Sequence, residues 1–154
     1  MIKIDLLKNH PEQIPILAKI WREGIGHLWM PEYSEAECQK LYHEELNQDF
    51  PLTFVALNSG SAVGSCTLLL EESFRPNQGP WIGDLVVSKS FQNQGIGKKL
   101  LDRAVLEAKN LGFAKIYLFT FDSNIPFYYK KFGWEIVGND IYNYKPVIVM
   151  ELVL

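Results

Sequence analysis

The stretch Asp84-Leu85-Val86-Val87-Ser88-Lys89-Ser90-Phe91-Gln92-Asn93-Gln94-Gly95-Ile96-Gly97-Lys98-Lys99-Leu100-Leu101 constrains this chain more than any other. Its apolar start reads as a buried strand. Its end opens an amphipathic helix with Leu100, Leu101, Ala104, Val105, Ala108 and Leu111 on one stripe and Gly112 as a left-handed stop. Between them, Gly95 and Gly97 strip side chains from the turn. The first N–H groups of a helix lack intrahelical partners and carry partial positive charge, so a bare turn there makes an anion site, normally for phosphate. A Walker loop, GxxxxGK[ST], does not fit, because Gln92 stands five residues before Gly97 and Lys99 follows Lys98. A dinucleotide fingerprint, GxGxxG, does not fit either, because Leu100 occupies the third glycine position and the unit lies past mid-chain. What remains is Gln92-x-x-Gly95-x-Gly97, with a ligand-free strand-to-helix turn as the competing reading.

Around this segment, Ile2 to Leu6 alternates as a half-buried strand. A helix from Pro11 presents Ile14, Leu17, Ile20 and Trp21 and is expected to end at Gly24-Ile25-Gly26. Ser34 and Glu37 form a capping box for a helix running to about Gln48, with Cys38, Leu41, Tyr42 and Leu46 on its apolar face. Leu52–Leu57 and Ala62–Leu70 read as a hairpin across Asn58-Ser59-Gly60-Ser61. A breaker-rich loop, Ser73 to Pro80, precedes a strand from Trp81 to about Ser88. After the long helix come a strand at Lys115–Phe121, a short helix at Ile125–Phe132, and strands near Glu135–Val137 and Val147–Val153. The order βααβββαβαββ predicts an α/β fold, a mixed sheet with helices on its faces, as one domain over residues 1–154, with a right-handed crossover from Leu85 to Phe121.

Composition excludes several function classes. With 15 Lys plus Arg against 18 Asp plus Glu and no basic run, the chain carries no electrostatic footprint for nucleic acid. Cys38 and Cys66 are too sparse for a disulfide framework, and no Cys/His cluster has metal-ligand spacing, so no metal is expected and a reducing compartment is. The start lacks a signal-peptide core and no window approaches the ~20 apolar residues of a membrane span, so a cytoplasmic protein without a membrane partner is expected.

The Gln92-x-x-Gly95-x-Gly97 loop, preceded by Val87 and followed by Leu100, resembles the pyrophosphate loop of the GNAT superfamily of N-acetyltransferases, which lies between a bulged fourth strand and a long helix. Phe127-Tyr128-Tyr129-Lys130-Lys131-Phe132-Gly133-Trp134 is similar to a second element of that family, and the resemblance runs from about Leu52 to the C-terminus. It implies a twisted sheet with strands four and five splayed, and acetyl-CoA as cofactor. Leu85, Val86 and Val87 would pair with the pantetheine as an extra strand, and backbone N–H groups of Gln92, Asn93, Gln94, Gly95, Ile96, Gly97 and Lys98 would cradle the pyrophosphate. The resemblance makes Tyr129 the general acid for the departing thiolate, with Tyr128 turned into the core, and Asp84 the acceptor of the amine proton. Tyr129 as plain packing, and Asp84 as a partner for a cation or a holder of the amine, stay open. Relatives carry an asparagine seven residues before the tyrosine; Asp122 stands there, with Asn124 close by as a cofactor contact.

The acceptor, a small amine or a peptide or protein N-terminus, is expected between the segment Gly26–Tyr33 and the loop before strand four. Trp29, Tyr33, Trp81 and Asp84 are its candidate contacts, and Glu32, Glu71 and Glu72 are nearby negative charges. Trp29 and Trp81 serve equally well as cover for the core. His27 is a lone loop histidine, His10 and His43 look solvated or capping, and Cys66 reads as a small buried hydrophobe. Two function classes follow, an N-acetyltransferase working in a ternary complex as monomer or homodimer, and a non-catalytic acyl-CoA-binding sensor or docking module. A nucleotide-binding α/β protein is a third.

Overall fold

The computed structural model describes residues 1–44, 50–70, 75, 77–121 and 125–154. The fold is mixed α/β, with hydrogen-bonded strand neighbours in the order β1-β2-β3-β4-β5-β7-β6. The chain gathers into two compact units, Met1–Leu68 with Gly83–Ala104, and Leu69–Ile82 with Val105–Leu154. Both β4 (Trp81–Val87) and α4 (Ile96–Asn110) run from one unit into the other. No helix among the described residues is long and apolar enough to cross a membrane.

In the first unit, β1 (Ile2–Leu6), β2 (Leu52–Asn58) and β3 (Ser61–Leu69) form an antiparallel meander with Ile4 opposite Ala56 and Phe54 opposite Cys66. Ser59 and Gly60 both have positive φ, +50° and +83°, which is the two-residue turn whose twist suits a hairpin. The middle of β2 and of β3 is buried without a break, so both faces are covered rather than one. Helix α1 (Ile14–Trp21) buries Ile14, Leu17, Ala18 and Trp21 against Leu7, Val55, Leu57 and Val86. Buried Gln13 meets the sheet by accepting the Ala62 N–H at 2.8 Å.

The expected helix end at Gly24-Ile25-Gly26 is not an end. The chain continues through a π-helical turn, Arg22–Gly26, into one more helical turn, α2 (His27–Trp29). These glycines serve close packing instead of a left-handed stop. A Cβ on Gly24 would stand 2.5 Å from Val86 Cγ2, one on Gly26 would stand 2.5 Å from the Trp21 ring, and Gly26 has helical φ of −60°. Helix α3 (Glu35–Glu44) opens with the expected box, in which Ser34 Oγ accepts the Glu37 N–H at 3.2 Å and Glu37 Oε1 accepts the Ser34 N–H at 3.4 Å. Leu46 and the expected extension to Gln48 lie outside the described residues.

In the second unit, β5 (Lys115–Thr120) and β6 (Glu135–Tyr142) both pair antiparallel with β7 (Lys145–Val153). β5 also meets β4 in parallel at Trp81 opposite Tyr117, the one register pair between them among the described residues. The last two strands are longer than expected because Asn143 and Tyr144, at φ +47° and +65°, close a tight hairpin that a tyrosine does not advertise. The stop of α4 is as expected. Gly112 at φ +88° lets the Phe113 N–H reach the Ala108 carbonyl at 3.1 Å and the Gly112 N–H reach that of Lys109 at 3.0 Å. Leu111, placed on the buried stripe by its spacing, is half exposed, since it sits beyond the last helical turn.

Candidate active site

The glycine loop is built mostly from local bonds. A 3₁₀ turn, Lys89–Phe91, leaves β4, anchored where the Ser88 N–H donates to the Val63 carbonyl at 2.7 Å. Asn93 and Gly95 are left-handed, at φ +62° and +81°, and Ile96 plugs the start of α4 into the core with 2% of its surface exposed. The Gln92 side chain donates from Nε2 to the Val87 carbonyl at 3.1 Å, tying the loop back to its own strand.

The N–H cradle expected over Gln92 to Lys98 is shorter by one residue. The Gln92 N–H already donates to the Lys89 carbonyl at 3.4 Å, so the row begins at Asn93. Among the described residues, the Asn93, Gln94 and Gly95 N–H groups have no protein acceptor; Ile96 and Gly97 open α4 ahead of any intrahelical acceptor, and the Lys99 N–H donates to the Gly95 carbonyl at 3.1 Å. Lys98 turns its ammonium to Asp102 one turn on. A Cβ on Gly97 would come no nearer than 3.7 Å to Val87 Cγ2, and one on Gly95 would meet nothing within 4 Å. The bare space at Gly97 is therefore not filled by protein, and the donor row facing it suits a multiply charged oxyanion such as a pyrophosphate.

Along β4, Val86 is buried while Leu85 and Val87 are half-buried. The Val86 carbonyl faces β3, where a Cβ on Gly64 would stand 2.6 Å from it, and Ser88 bonds to β3 as well. Alternation along the strand therefore turns the backbone groups of Leu85 and Val87 the opposite way.

Asp84 interrupts that alternation. Its φ of +51° is left-handed, which costs a non-glycine residue of order 1–3 kcal/mol and marks a bulge held in place by its surroundings. The Trp21 Nε1–H donates to Asp84 Oδ1 at 2.9 Å, and the Ser65 hydroxyl donates to the Asp84 carbonyl at 3.5 Å. Ser65 Oγ lies 2.8 Å from the buried Tyr42 hydroxyl. Burial, and secondarily the Asp84 charge, push the Cys66 thiol well above its ordinary range, which keeps it an inert neutral group, as its place in a strand suggests.

In the second unit, Tyr129 lies half-buried on α5 (Ile125–Lys130), edge-on to Trp134 at 6.0 Å between ring centres and to Tyr128 at 5.5 Å. Its carbonyl accepts the Phe132 N–H at 2.9 Å, and Gly133 at φ +93° ends the turn. Tyr128 does not point into the core. It is 45% exposed, because Pro126 and Trp134 take the buried positions beside this short helix.

The expected acceptor residues separate. Trp29 and Tyr33 are half-buried in the first unit, Tyr33 against its core, while Glu32 and His27 are exposed. Trp81 has no exposed surface. It packs on Tyr117, Phe119 and Val149 with its indole donating to the Gln78 carbonyl at 2.7 Å, so the structure gives it a core role instead of an acceptor wall. Asn124, Asp122, Glu71 and Glu72 lie outside the described residues. Trp21, Ser65 and Tyr42, which hold Asp84, were not singled out by the sequence. Their spacing marks only a helix face or a strand, and the partner of Trp21 lies 63 residues away.

Known proteins share this fold. An aminoglycoside 6′-N-acetyltransferase solved in complex with coenzyme A superposes with a TM-score of 0.76 at 21% identity, over 99% of this chain and 96% of that one. A spermidine N-acetyltransferase chimera from Vibrio cholerae and hSSAT superposes with a TM-score of 0.75 at 18% identity, over 99% and 95%. At such identities the likeness establishes the fold. In sequence, a probable spermine N(1)-acetyltransferase of Bacillus subtilis subsp. natto (strain BEST195) is 33% identical over 75 residues, 47% of this chain and 49% of that protein, so the match spans about half of that relative. The model of the Acetyltransferase (GNAT) family matches residues 22–134, and the chain belongs to that family of acetyltransferases.

Proposed function

We propose that the protein transfers an acetyl group from acetyl-CoA to a primary amine by direct attack, as a single catalytic domain. The observation that carries this reading is the row of N–H donors from Asn93 into α4, facing the space that Gly97 leaves bare. The coenzyme supplies the activated thioester. The Asn93–Lys98 donors would hold its pyrophosphate, with Gln92 fixing the loop through Val87 instead of touching the phosphates. The outward backbone groups of Leu85 and the outward Val87 N–H suit the amides of the pantetheine arm, and the Val87 N–H would polarise the thioester carbonyl.

An amine of pKa near 10.4 arrives protonated at neutral pH and must lose a proton before attack. Asp84, half-buried on the bulge, is the group assigned to hold the ammonium and take that proton. Tyr129 is assigned to the thiolate, because a phenol near pKa 10 can protonate a thiol leaving group near 8.5. The acceptor is a small cationic amine of the polyamine or aminoglycoside kind. The family members with those substrates and the carboxylate at Asp84 support this over an uncharged acceptor, and Trp29 and Tyr33 supply aromatic surface.

Thiol release from acetyl-CoA across a panel of polyamines, aminoglycosides and a peptide with a free N-terminus tests this reading, alongside thermal shifts with CoA, ATP and NAD. Turnover on a cationic amine and stabilisation by CoA alone are expected; ligand at 100 times its Kd adds about 2.7 kcal/mol. CoA stabilisation without turnover on any amine would indicate a binding module instead, and stabilisation by ATP or NAD would remove the coenzyme assignment.

A further inference from the structure

Asp84 can act on an ammonium only if its carboxylate points one way, and the fold supplies a group for that. Trp21 closes α1 with its ring 5% exposed, and its indole nitrogen is 2.9 Å from Asp84 Oδ1. The π-helical turn holds the ring from the other side, since Gly26 lies so close that a Cβ there would overlap it. The backbone of the bulge is fixed separately, by Ser65 on the Asp84 carbonyl, with Tyr42 on Ser65. Trp21 thus governs the Asp84 side chain, while Ser65 and Tyr42 govern its main chain.

We propose that Trp21 is a positioning residue for the acceptor, its indole N–H holding the ionised Asp84 carboxylate in the orientation that receives a protonated primary amine. The inference rests on the acetyltransferase reading. An indole N–H is a donor only, so it gives direction and takes up no proton itself, and its bond favours the ionised form that attracts an ammonium. A carboxylate has about four lone-pair sites, so the indole bond to Oδ1 does not by itself exhaust what an ammonium with its three donors can use. Among the described residues, Cys66, which interacts electrostatically with Asp84, is kept neutral by burial, and the Tyr42 hydroxyl is engaged by Ser65.

The test uses Trp21→Phe, Asp84→Asn and the double variant of the full chain, in two measurements. In steady-state kinetics with spermine, Trp21→Phe is expected to lower kcat/KM for the amine about tenfold, the worth of one charge-assisted hydrogen bond. The KM for acetyl-CoA should not change, and no further loss should appear in the Asp84→Asn background. In the free protein, the Trp21 indole N–H resonance, identified by its absence in Trp21→Phe, should move with pH as a carboxylate titrates and stop moving in Asp84→Asn. An equal loss from Trp21→Phe in both backgrounds would mean packing alone and overturn the proposal, as would an indole resonance indifferent to pH. If the unmodified protein acetylates no amine, the acetyltransferase reading fails and takes this one with it. If it turns over while the indole stays silent, only the role of Trp21 falls.

Discussion

Replacing Gly97 by alanine should push the stability of the free protein and its affinity for CoA in opposite directions. The position is helical, in the first turn of α4, where glycine costs about 0.5–1 kcal/mol relative to alanine. The added methyl would meet only Val87 Cγ2, at the ordinary contact distance of 3.7 Å. The free variant should therefore gain up to about 1 kcal/mol, a rise in Tm of roughly 2–4 °C for a chain near this size. In the proposed reading, phosphate takes the space that this methyl would fill. Displacing a phosphate from one charge-assisted bond costs about 1.5–3 kcal/mol, so CoA should bind roughly ten- to a hundredfold more weakly. Differential scanning fluorimetry with and without CoA, with calorimetric titration for Kd, reads both. Gly95→Ala is the contrast: at φ +81° it strains the backbone by about 1–2 kcal/mol and should lower the Tm of the free protein. A Gly97→Ala protein less stable than its parent would mean that the fold needs the glycine, and one with unchanged CoA affinity would mean that the space is not where phosphate sits.

Tyr129→Phe should lower kcat by about 10²–10⁴ if the hydroxyl protonates the leaving thiolate, with Kd for CoA little changed; a native rate in stopped thiol-release assays would remove that role. Gly26→Ala forces a methyl to within 2.5 Å of the Trp21 ring and should cost roughly 1–3 kcal/mol by overpacking, seen as a shifted urea midpoint. At Asp5, the bond from His10 Nε2, 2.8 Å away, holds the carboxyl below its ordinary range. A carboxylate whose folded pKa is depressed contributes stability that is present above its unfolded value, near 3.9, and is lost as pH falls through the lower folded value. His10→Ala should thus be less stable than the parent at neutral pH, and the two Tm curves should converge below about pH 3.9. Parallel curves down to pH 2 would show that the pair does not carry the difference.

What could be read from the sequence was what a few neighbouring residues decide. The β2–β3 hairpin, the Ser34 box and the Gly112 stop each depend on the conformation of two to six consecutive residues, and each is present where expected. The failures are places where a distant neighbour decides. Gly24 and Gly26 look like a stop because glycine permits left-handed backbone, yet they are glycines because Val86 and the Trp21 ring leave no room for a Cβ. On α5 the ring that meets Trp134, beyond the helix itself, is that of half-buried Tyr129, while Tyr128, expected in the core, is 45% exposed. Trp81 was indistinguishable from a ligand-facing tryptophan until Tyr117 and Val149 closed over it.

The same distinction separates the two halves of the candidate site. The half proposed to hold phosphate is made of main chain within one loop, so its residues could be named from neighbours alone. The half proposed for the acceptor turns on Asp84, whose left-handed strand position, indole partner and serine partner all come from tertiary structure. Glycines sharpen the point. Among those whose surroundings are described, each either has a positive φ or would drive a Cβ into a neighbour, with Gly97 the exception. The fold explains the others without a ligand. Gly97 has neither a positive φ nor a clash to relieve, and it follows the Asn93, Gln94 and Gly95 N–H groups that have no protein acceptor among the described residues, which is why Gly97→Ala is the substitution that separates the needs of the fold from those of a ligand.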